Sequence, residues 1–219
     1  MISAQEYITI IDIGRRGMVY HISFSNDVQI RAMKGIIDKL NLSAGDEFTD
    51  SEFEKLKNIL DESFAKYTAE SILARRAHSV GELKIKLRQK DISGDLIKSI
   101  VGRFRKDGLL DDYNYGKMRA ESLLRRKPAG RGYLIRDLQN KLVPRQIAES
   151  VITEILAEVD ESELAAQLLE KKRISLTKFD LETARQKAYT YLSRRAISYG
   201  AAKTAFDKVF DKNEFKRGE

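Results

Sequence analysis

Hydrophobic positions follow two different periods along the chain. Residues 6–13 (EYITIIDI) and 18–24 (MVYHISF) are rich in β-branched and aromatic side chains, with alternation at Tyr20, Ile22 and Phe24. This is the pattern of a half-buried strand. Gly14-Arg15-Arg16-Gly17 lies between them, and its two glycines can take the positive φ that a hairpin needs. Asn26-Asp27 offers a second turn before residues 28–31, so the pattern predicts a three-stranded antiparallel meander. Met33, Ile36, Ile37 and Leu40 predict one short helix, and residues 42–47 a loop. Beyond this point the period changes to that of a helix. Thr49-Asp50-Ser51-Glu52 has the form of a capping box, and Phe53, Leu56, Ile59, Leu60, Phe64 and Tyr67 follow at helical spacing.

The helical part repeats itself. Ala69-Glu70-Ser71-Ile72-Leu73 returns as Ala120-Glu121-Ser122-Leu123-Leu124, an offset of 51 residues. The same offset carries Leu83 and Leu87 onto Leu134 and Leu138, Ile92 onto Val143, Leu96 onto Ile147, and Phe104 onto Ile155. One register held across three helices and two loops is a repeat, not a shared helical period. A third, weaker copy aligns Leu192, Ile197 and Val209 with Leu87, Ile92 and Phe104, with an expanded loop at residues 171–180. Each copy reads as three helices. Ser79 and Ser93 are placed to cap the second and third helices of the first copy, and Gly108 to end it. Pro128 follows the first helix of the second copy, while Pro144 suits the first turn of its third helix. Asp160-Glu161-Ser162-Glu163 reads as another capping box, with Asp180 and Ser198 starting the later helices.

The expected fold is therefore mainly α. Tandem three-helix repeats, helix-turn-helix-like and in an elongated array, follow a small N-terminal antiparallel β-meander. The expected divisions are 1–48 for the meander and short helix, 49–110 for the first repeat with its leading helix, 111–159 for the second and 160–219 for the third. A unit of this size buries little surface alone, so neighbouring units should pack on one another.

Composition narrows the chemistry. The chain has no Cys and no Trp, and Pro128 and Pro144 are its two prolines. Disulfides and thiolate metal sites are excluded, and a reducing compartment fits. The first six residues lack a basic segment followed by an apolar one, and no run is long enough to span a membrane. A cytoplasmic, monomeric protein is expected. The net charge of +7 is unevenly spread: residues 67–145 hold 19 Lys/Arg against 9 Asp/Glu, a net +10, whereas 146–219 are neutral. Such asymmetry suits a polyanion or an acidic protein face, and the alternative is a solvated helical surface.

Catalytic machinery is not apparent. His21 lies on an expected strand and His78 in a helix–helix loop, neither at metal-ligand spacing from a second ligand. No phosphate-binding glycine loop and no nucleophile elbow occurs. Asp111-Asp112 are adjacent, so on a helix they diverge by about 100° and share a ligand poorly. The simpler reading is that Asp111 or Asp112 caps the next helix. No enzyme activity, cofactor or metal is expected.

The basic residues recur at related points of the repeat. The first helix ends in Arg75-Arg76 and, one copy later, in Arg125-Arg126-Lys127. The second helix carries Lys84, Lys86, Arg88 and Lys90, and the third ends in Arg103, Arg105 and Lys106. The second copy adds Arg131, Arg136 and Lys141. Repetition would set these charges in a stripe, which suits phosphates spaced along a strand. An ordinary polar helix face is the competing reading for any one of them.

Arg75-Arg76-Ala77-His78-Ser79-Val80-Gly81-Glu82-Leu83 resembles the R-R-x-x-S-x-x-E-L junction of the RecX family. Phe104 to Asp112, with Gly108-Leu109-Leu110-Asp111-Asp112, resembles its L-x-x-x-G-x-L-D-D signature, and Tyr113 and Tyr115 stand where an aromatic usually follows. The resemblance covers about residues 50–210, and the β-meander is similar to an extension seen in some members. The chain departs from the pattern at Asp91 and Leu142, where a glycine is usual, and at Gly116, where an alanine is usual. The resemblance implies a non-enzymatic regulator of the RecA recombinase. Such a protein binds the RecA–single-stranded-DNA filament and modulates its ATPase, growth and strand exchange, by inhibition in most members and by stimulation in some, in recombination, DNA repair and the SOS response. The alternative reading is a sequence-tolerant nucleic-acid-binding helical module, for single-stranded or duplex DNA, with no recombinase partner.

Overall fold

The computed structural model describes residues 7–211, 214 and 215, and the described residues form two compact units. Glu6 of the first expected strand, the N-terminal hexapeptide and the last few residues of the third repeat lie outside them.

The first unit comprises residues up to His78 together with Glu82–Leu110. Its sheet has four strands in the order β3-β2-β1-β4, formed by β1 (Ile8–Arg16), β2 (Val19–Phe24), β3 (Gln29–Met33) and β4 (Glu47–Phe48). All pairings are antiparallel. The β1–β2 hairpin turns on Gly17-Met18 alone, with Arg16 opposite Val19, whereas Gly14 is inside the strand opposite His21. Gly17 has φ 66°, the conformation that the first residue of a tight two-residue hairpin turn requires. The fourth strand falls where a loop was expected. Two residues are too few to show alternation, and β4 exists because Ile8 and Thr9 pair with Phe48 and Glu47 from across the sequence. Ile10, Ile22, Phe24, Ile30 and Ala32 turn to one face of the sheet. There they meet Ile37 of α1 (Lys34–Leu40) and Phe53, Leu56 and Leu60 of α2 (Asp50–Leu73). Phe24 and Phe53 meet edge to face, with centroids 4.9 Å apart.

The capping box of α2 forms as its sequence requires. Thr49 accepts from Glu52 N, and Glu52 accepts from Thr49 N at 2.9 Å. The helix ends at Leu73, short of Arg75-Arg76, where its end was expected. After it come α3 (Val80–Arg88), which buries Leu83 and Leu87, and α4 (Gly94–Lys106), which is capped by Ser93 and buries Ile97, Ile100, Val101 and Phe104. Gly108, at φ 73°, reverses the chain, and the amides of Gly108 and Leu109 return to the carbonyls of Arg105 and Phe104.

The second unit comprises Ser79–Gly81 and the chain from Asp111. Its first three helices are α5 (Asp112–Arg126), α6 (Arg131–Asn140) and α7 (Arg145–Leu156), packed around Tyr115, Ala120, Leu134, Leu138, Val151 and Ile152. Pro144 stands at the N-cap of α7 instead of in its first turn; its φ of −54° suits both places, and the helix begins one residue later. The remaining helices are α8 (Glu161–Glu170), α9 (Arg173–Leu176), α10 (Leu181–Ser193) and α11 (Tyr199–Val209). Their core holds Leu168, Leu169, Leu192, Phe206 and Phe210. The expected 171–180 loop contains α9, one helical turn held down by buried Leu176. The expected box at Asp160 is only half present. Asp160 accepts from Ser162 N, but Glu163 pairs with Lys208 in place of reaching back. Asp180 and Ser198 cap α10 and α11, accepting from Thr183 N and Ala201 N.

One turn recurs in all three repeats. The residues after α3, α6 and α10 that take positive φ are Asp91 (57°), Leu142 (60°) and Ala196 (57°). In each case its own amide and the next one close the helix. Ile92 N donates to Leu87 O, Val143 N to Leu138 O and Ile197 N to Leu192 O. This is the left-handed cap that glycine forms without strain, here made three times without glycine.

Candidate nucleic-acid interface

In the first unit the turn after α2 ends on a buried histidine. His78 is 6% exposed, and its Nδ1 donates to the Arg76 carbonyl at 2.8 Å. Burial holds its pKa below the ordinary histidine value, so the ring is neutral and serves as a structural hydrogen-bond donor. Arg76 is drawn back by the Ala77 carbonyl and both oxygens of Glu82, whereas Arg75 is exposed and forms no hydrogen bond or ion pair among the described residues.

On α3, inward Leu83 and Leu87 set the orientation of the basic side chains. Lys84 and Arg88, four residues apart, share one face of the helix, Lys86 lies on another, and Lys90 sits in the turn that follows. Lys84 and Lys86 are half-buried along their stems; Arg88 and Lys90 are exposed. None of these four has an acidic partner among the described residues. On α4, Arg103 is taken up by Glu62 at 2.5 Å and fastens α4 to α2, while Arg105 and Lys106 are exposed in the last turn. Basic residues in a last helical turn also complement the negative end of the helix dipole.

The second unit holds the other group. Arg125 and Arg126 end α5, and Lys127 is its C-cap; all three are exposed. Arg126 folds onto Ser122, while Arg125 and Lys127 form no side-chain bond among the described residues. Pro128, Ala129 and Gly130 are buried directly beyond them. Arg131 donates to Thr153 Oγ1 at 2.9 Å. Arg136 lines a polar cleft of about 250 Å³ with Tyr133, Asp137, Asn140 and Arg194. Arg194 comes from the electrically neutral third repeat, so the charge pattern of the sequence does not mark it. Lys141 is half-buried, and its backbone carbonyl accepts from the Ser79 hydroxyl.

The adjacent aspartates divide their work. Asp111 is the N-cap of α5, accepting from Tyr113 N at 2.8 Å and Asn114 N at 3.1 Å. Asp112, 5% exposed, accepts at 2.8 Å from Val80 N at the start of α3. Their sequence contained both alternatives but not this split, since Val80 lies 32 residues away. Among the described residues no cluster of His, Cys, Asp or Glu could hold a metal ion, and no helix is long and apolar enough to cross a membrane.

Three-helix units repeated in tandem behind a small β-sheet define a helical-repeat protein. Residues 65–104 match the family model described as RecX, first three-helix domain. The chain is 33% identical over 134 residues to a regulatory protein RecX of Pelodictyon phaeoclathratiforme, covering 61% of this chain and 81% of that protein. It is 23% identical to a regulatory protein RecX of Leuconostoc mesenteroides subsp. mesenteroides, over 94% of this chain and 77% of the relative. The chain belongs to the RecX family. Its fold is similar to the crystal structure of RecX from Lactobacillus salivarius, with TM-score 0.62, 22% identity, and coverage of 68% of this chain and 96% of that one. A second crystal structure of a regulatory protein RecX matches 91% of this chain and 99% of its own at TM-score 0.64 and 18% identity.

Proposed function

We propose that this protein is a non-enzymatic regulator that binds the RecA–single-stranded-DNA filament and restrains its ATPase, growth and strand exchange. On this reading it acts as a monomer in the cytoplasm, within recombination, DNA repair and the SOS response. The observation that carries it is the set of exposed cations with no intramolecular partner among the described residues: Arg75, Arg88, Lys90 and Lys106 in the first unit, and Arg125 and Lys127 in the second. Charges without a counter-ion in their own chain have no ion pair to break before meeting phosphates or carboxylates of another molecule. Arg103 and Arg76, held by Glu62 and Glu82, are secondary contributors. The boundaries 49–110, 111–159 and 160–219 are the repeat divisions we adopt, with the first two carrying the filament contact.

The test is the single-stranded-DNA-dependent ATPase of the cognate RecA, measured with increasing amounts of this protein. The expected result is a fall in rate, weakened by Arg125→Glu with Lys127→Glu and by rising salt. No change at stoichiometric excess, on filaments shown to have formed, sinks the proposal. Binding to DNA that is indifferent to RecA would support instead a nucleic-acid-binding module without a recombinase partner.

A further inference from the structure

The left-handed turns at Asp91, Leu142 and Ala196 are joined to the rest of the protein in one way. In each, the carbonyl of the preceding residue accepts a hydrogen bond from an element earlier in the chain. Lys141 O accepts from the Ser79 hydroxyl, and Arg195 O accepts from Gly130 N at 2.8 Å. Ser79 and Gly130 are equivalent positions, each immediately before the second helix of its repeat, at the repeat offset of 51. Both contacts lie within the second unit and need a close approach. A Cβ on Gly81 would come within 2.4 Å of Leu142 Cβ, and one on Gly130 within 2.1 Å of the Ala196 carbonyl oxygen.

The first repeat has no repeat before it, yet its turn is engaged in the same manner. Lys90 O, the equivalent of Lys141 O and Arg195 O, accepts from Arg31 Nη2 at 2.7 Å. Arg31 belongs to β3, an edge strand of the sheet. Its guanidinium carbon lies over the Phe64 ring, 4.5 Å from the centroid, and its other terminal nitrogen stands 4.0 Å from the Asp91 carboxylate. The residue in the left-handed conformation matches what faces it in each case: Asp91 beside an arginine, Leu142 beside Gly81, Ala196 beside Gly130 and Gly132. Aspartate is also among the few non-glycine residues that tolerate this conformation.

We infer that the N-terminal sheet is a surrogate repeat. It caps the first three-helix unit by occupying the acceptor carbonyl that repeats otherwise use to join one another, and Arg31 is the residue that makes the substitution possible. A terminal repeat leaves an unpartnered surface that repeat proteins must cover, and here the cover is a β element with a long side chain reaching the carbonyl that a backbone amide or a hydroxyl reaches elsewhere. This role is independent of what the basic residues bind.

Hydrogen exchange of the full-length protein tests it. Arg31→Ala should speed exchange about tenfold in peptides covering residues 29–33 and 88–92, as expected for losing a charge-assisted hydrogen bond that holds a local opening closed. Peptides covering 139–143 and 192–197 should be unchanged. Arg31→Lys, which keeps the charge and a donor without the planar fork, should lie between wild type and Arg31→Ala. Unchanged exchange at 88–92 in both variants, or equal acceleration at all three turns, overturns the inference.

Discussion

Replacing Gly130 with alanine places a methyl group where the structure has no room. The added carbon would lie 2.1 Å from the Ala196 carbonyl oxygen, 2.7 Å from its carbon and 3.0 Å from Glu161 Oε1. The nearest of these is backbone, so no side chain can swing aside. An ordinary carbon–oxygen contact needs roughly 1 Å more, and separating the segments by that much breaks the Gly130 N to Arg195 O bond of 2.8 Å. Overpacking of this sort costs about 1–3 kcal/mol, and the lost buried hydrogen bond about 1 kcal/mol. Alanine restores about 0.4–1 kcal/mol by restricting the unfolded chain. The balance is a destabilisation of roughly 2–3 kcal/mol, or about 4–12 °C in Tm for a chain of this length. Thermal and urea melts followed by circular dichroism measure it, with exchange at 192–197 localising the effect. A Gly130→Ala protein that melts within about 1 °C of wild type would refute the close-approach reasoning.

Gly116 supplies the opposite sign: it is buried within α5, but a Cβ there meets Leu138 and Val151 at an ordinary 3.5 Å. Gly116→Ala should therefore stabilise the protein by about 1 kcal/mol through helix propensity, seen as a higher urea midpoint at unchanged m-value. Ala196→Gly should relieve the left-handed strain at φ 57° and raise stability by about 1 kcal/mol; a fall would show that the Ala196 methyl contributes more by packing than its conformation costs. Asp180 caps α10, and hydrogen bonds from the Thr183 amide and hydroxyl hold its pKa below 3.8. Because the folded value is the lower one, its contribution is present above pH 3.8 and is lost as pH falls through the folded value. Asp180→Asn, which caps without titrating, should flatten that part of the acid-unfolding profile relative to wild type. His78 has its folded pKa depressed by burial, so its stabilising contribution is full above 6.5 and declines as pH drops below that value. His78→Gln should remove this dependence from melts between about pH 5 and 7.

Local signals determined most of the helical architecture. The spacing of Leu83 and Leu87 and its return at Leu134 and Leu138 marks a buried stripe whatever the helices pack against, because helical period is a property of neighbours in sequence. The caps at Thr49, Ser93, Asp180 and Ser198 are equally legible, since each satisfies amides within three residues of itself. Of the candidate interface, the sequence identified the cationic residues but not their state of engagement. That Glu62 takes up Arg103, or that Arg194 joins Arg136 and Tyr133 at one cleft, depends on side chains brought together from distant helices.

What only the tertiary structure decided is non-local in every case. The two-residue strand β4 exists because Ile8 and Thr9 lie beside it, and α9 is held within an apparent loop by burial of Leu176. Asp112 could not be told from Asp111 until folding carried one carboxylate to the Val80 amide. The three left-handed turns show the division most clearly. Two of their sequences, with Leu142 and Ala196 in place of glycine, argue against the conformation that all three adopt. They adopt it because the same helix-closing amide bonds form in each, and because Arg31, Ser79 and Gly130 each engage the carbonyl beside the turn. A conformational cost of about 1–2 kcal/mol at one residue is outweighed when several hydrogen bonds depend on it, and sequence alone shows the cost without the bonds.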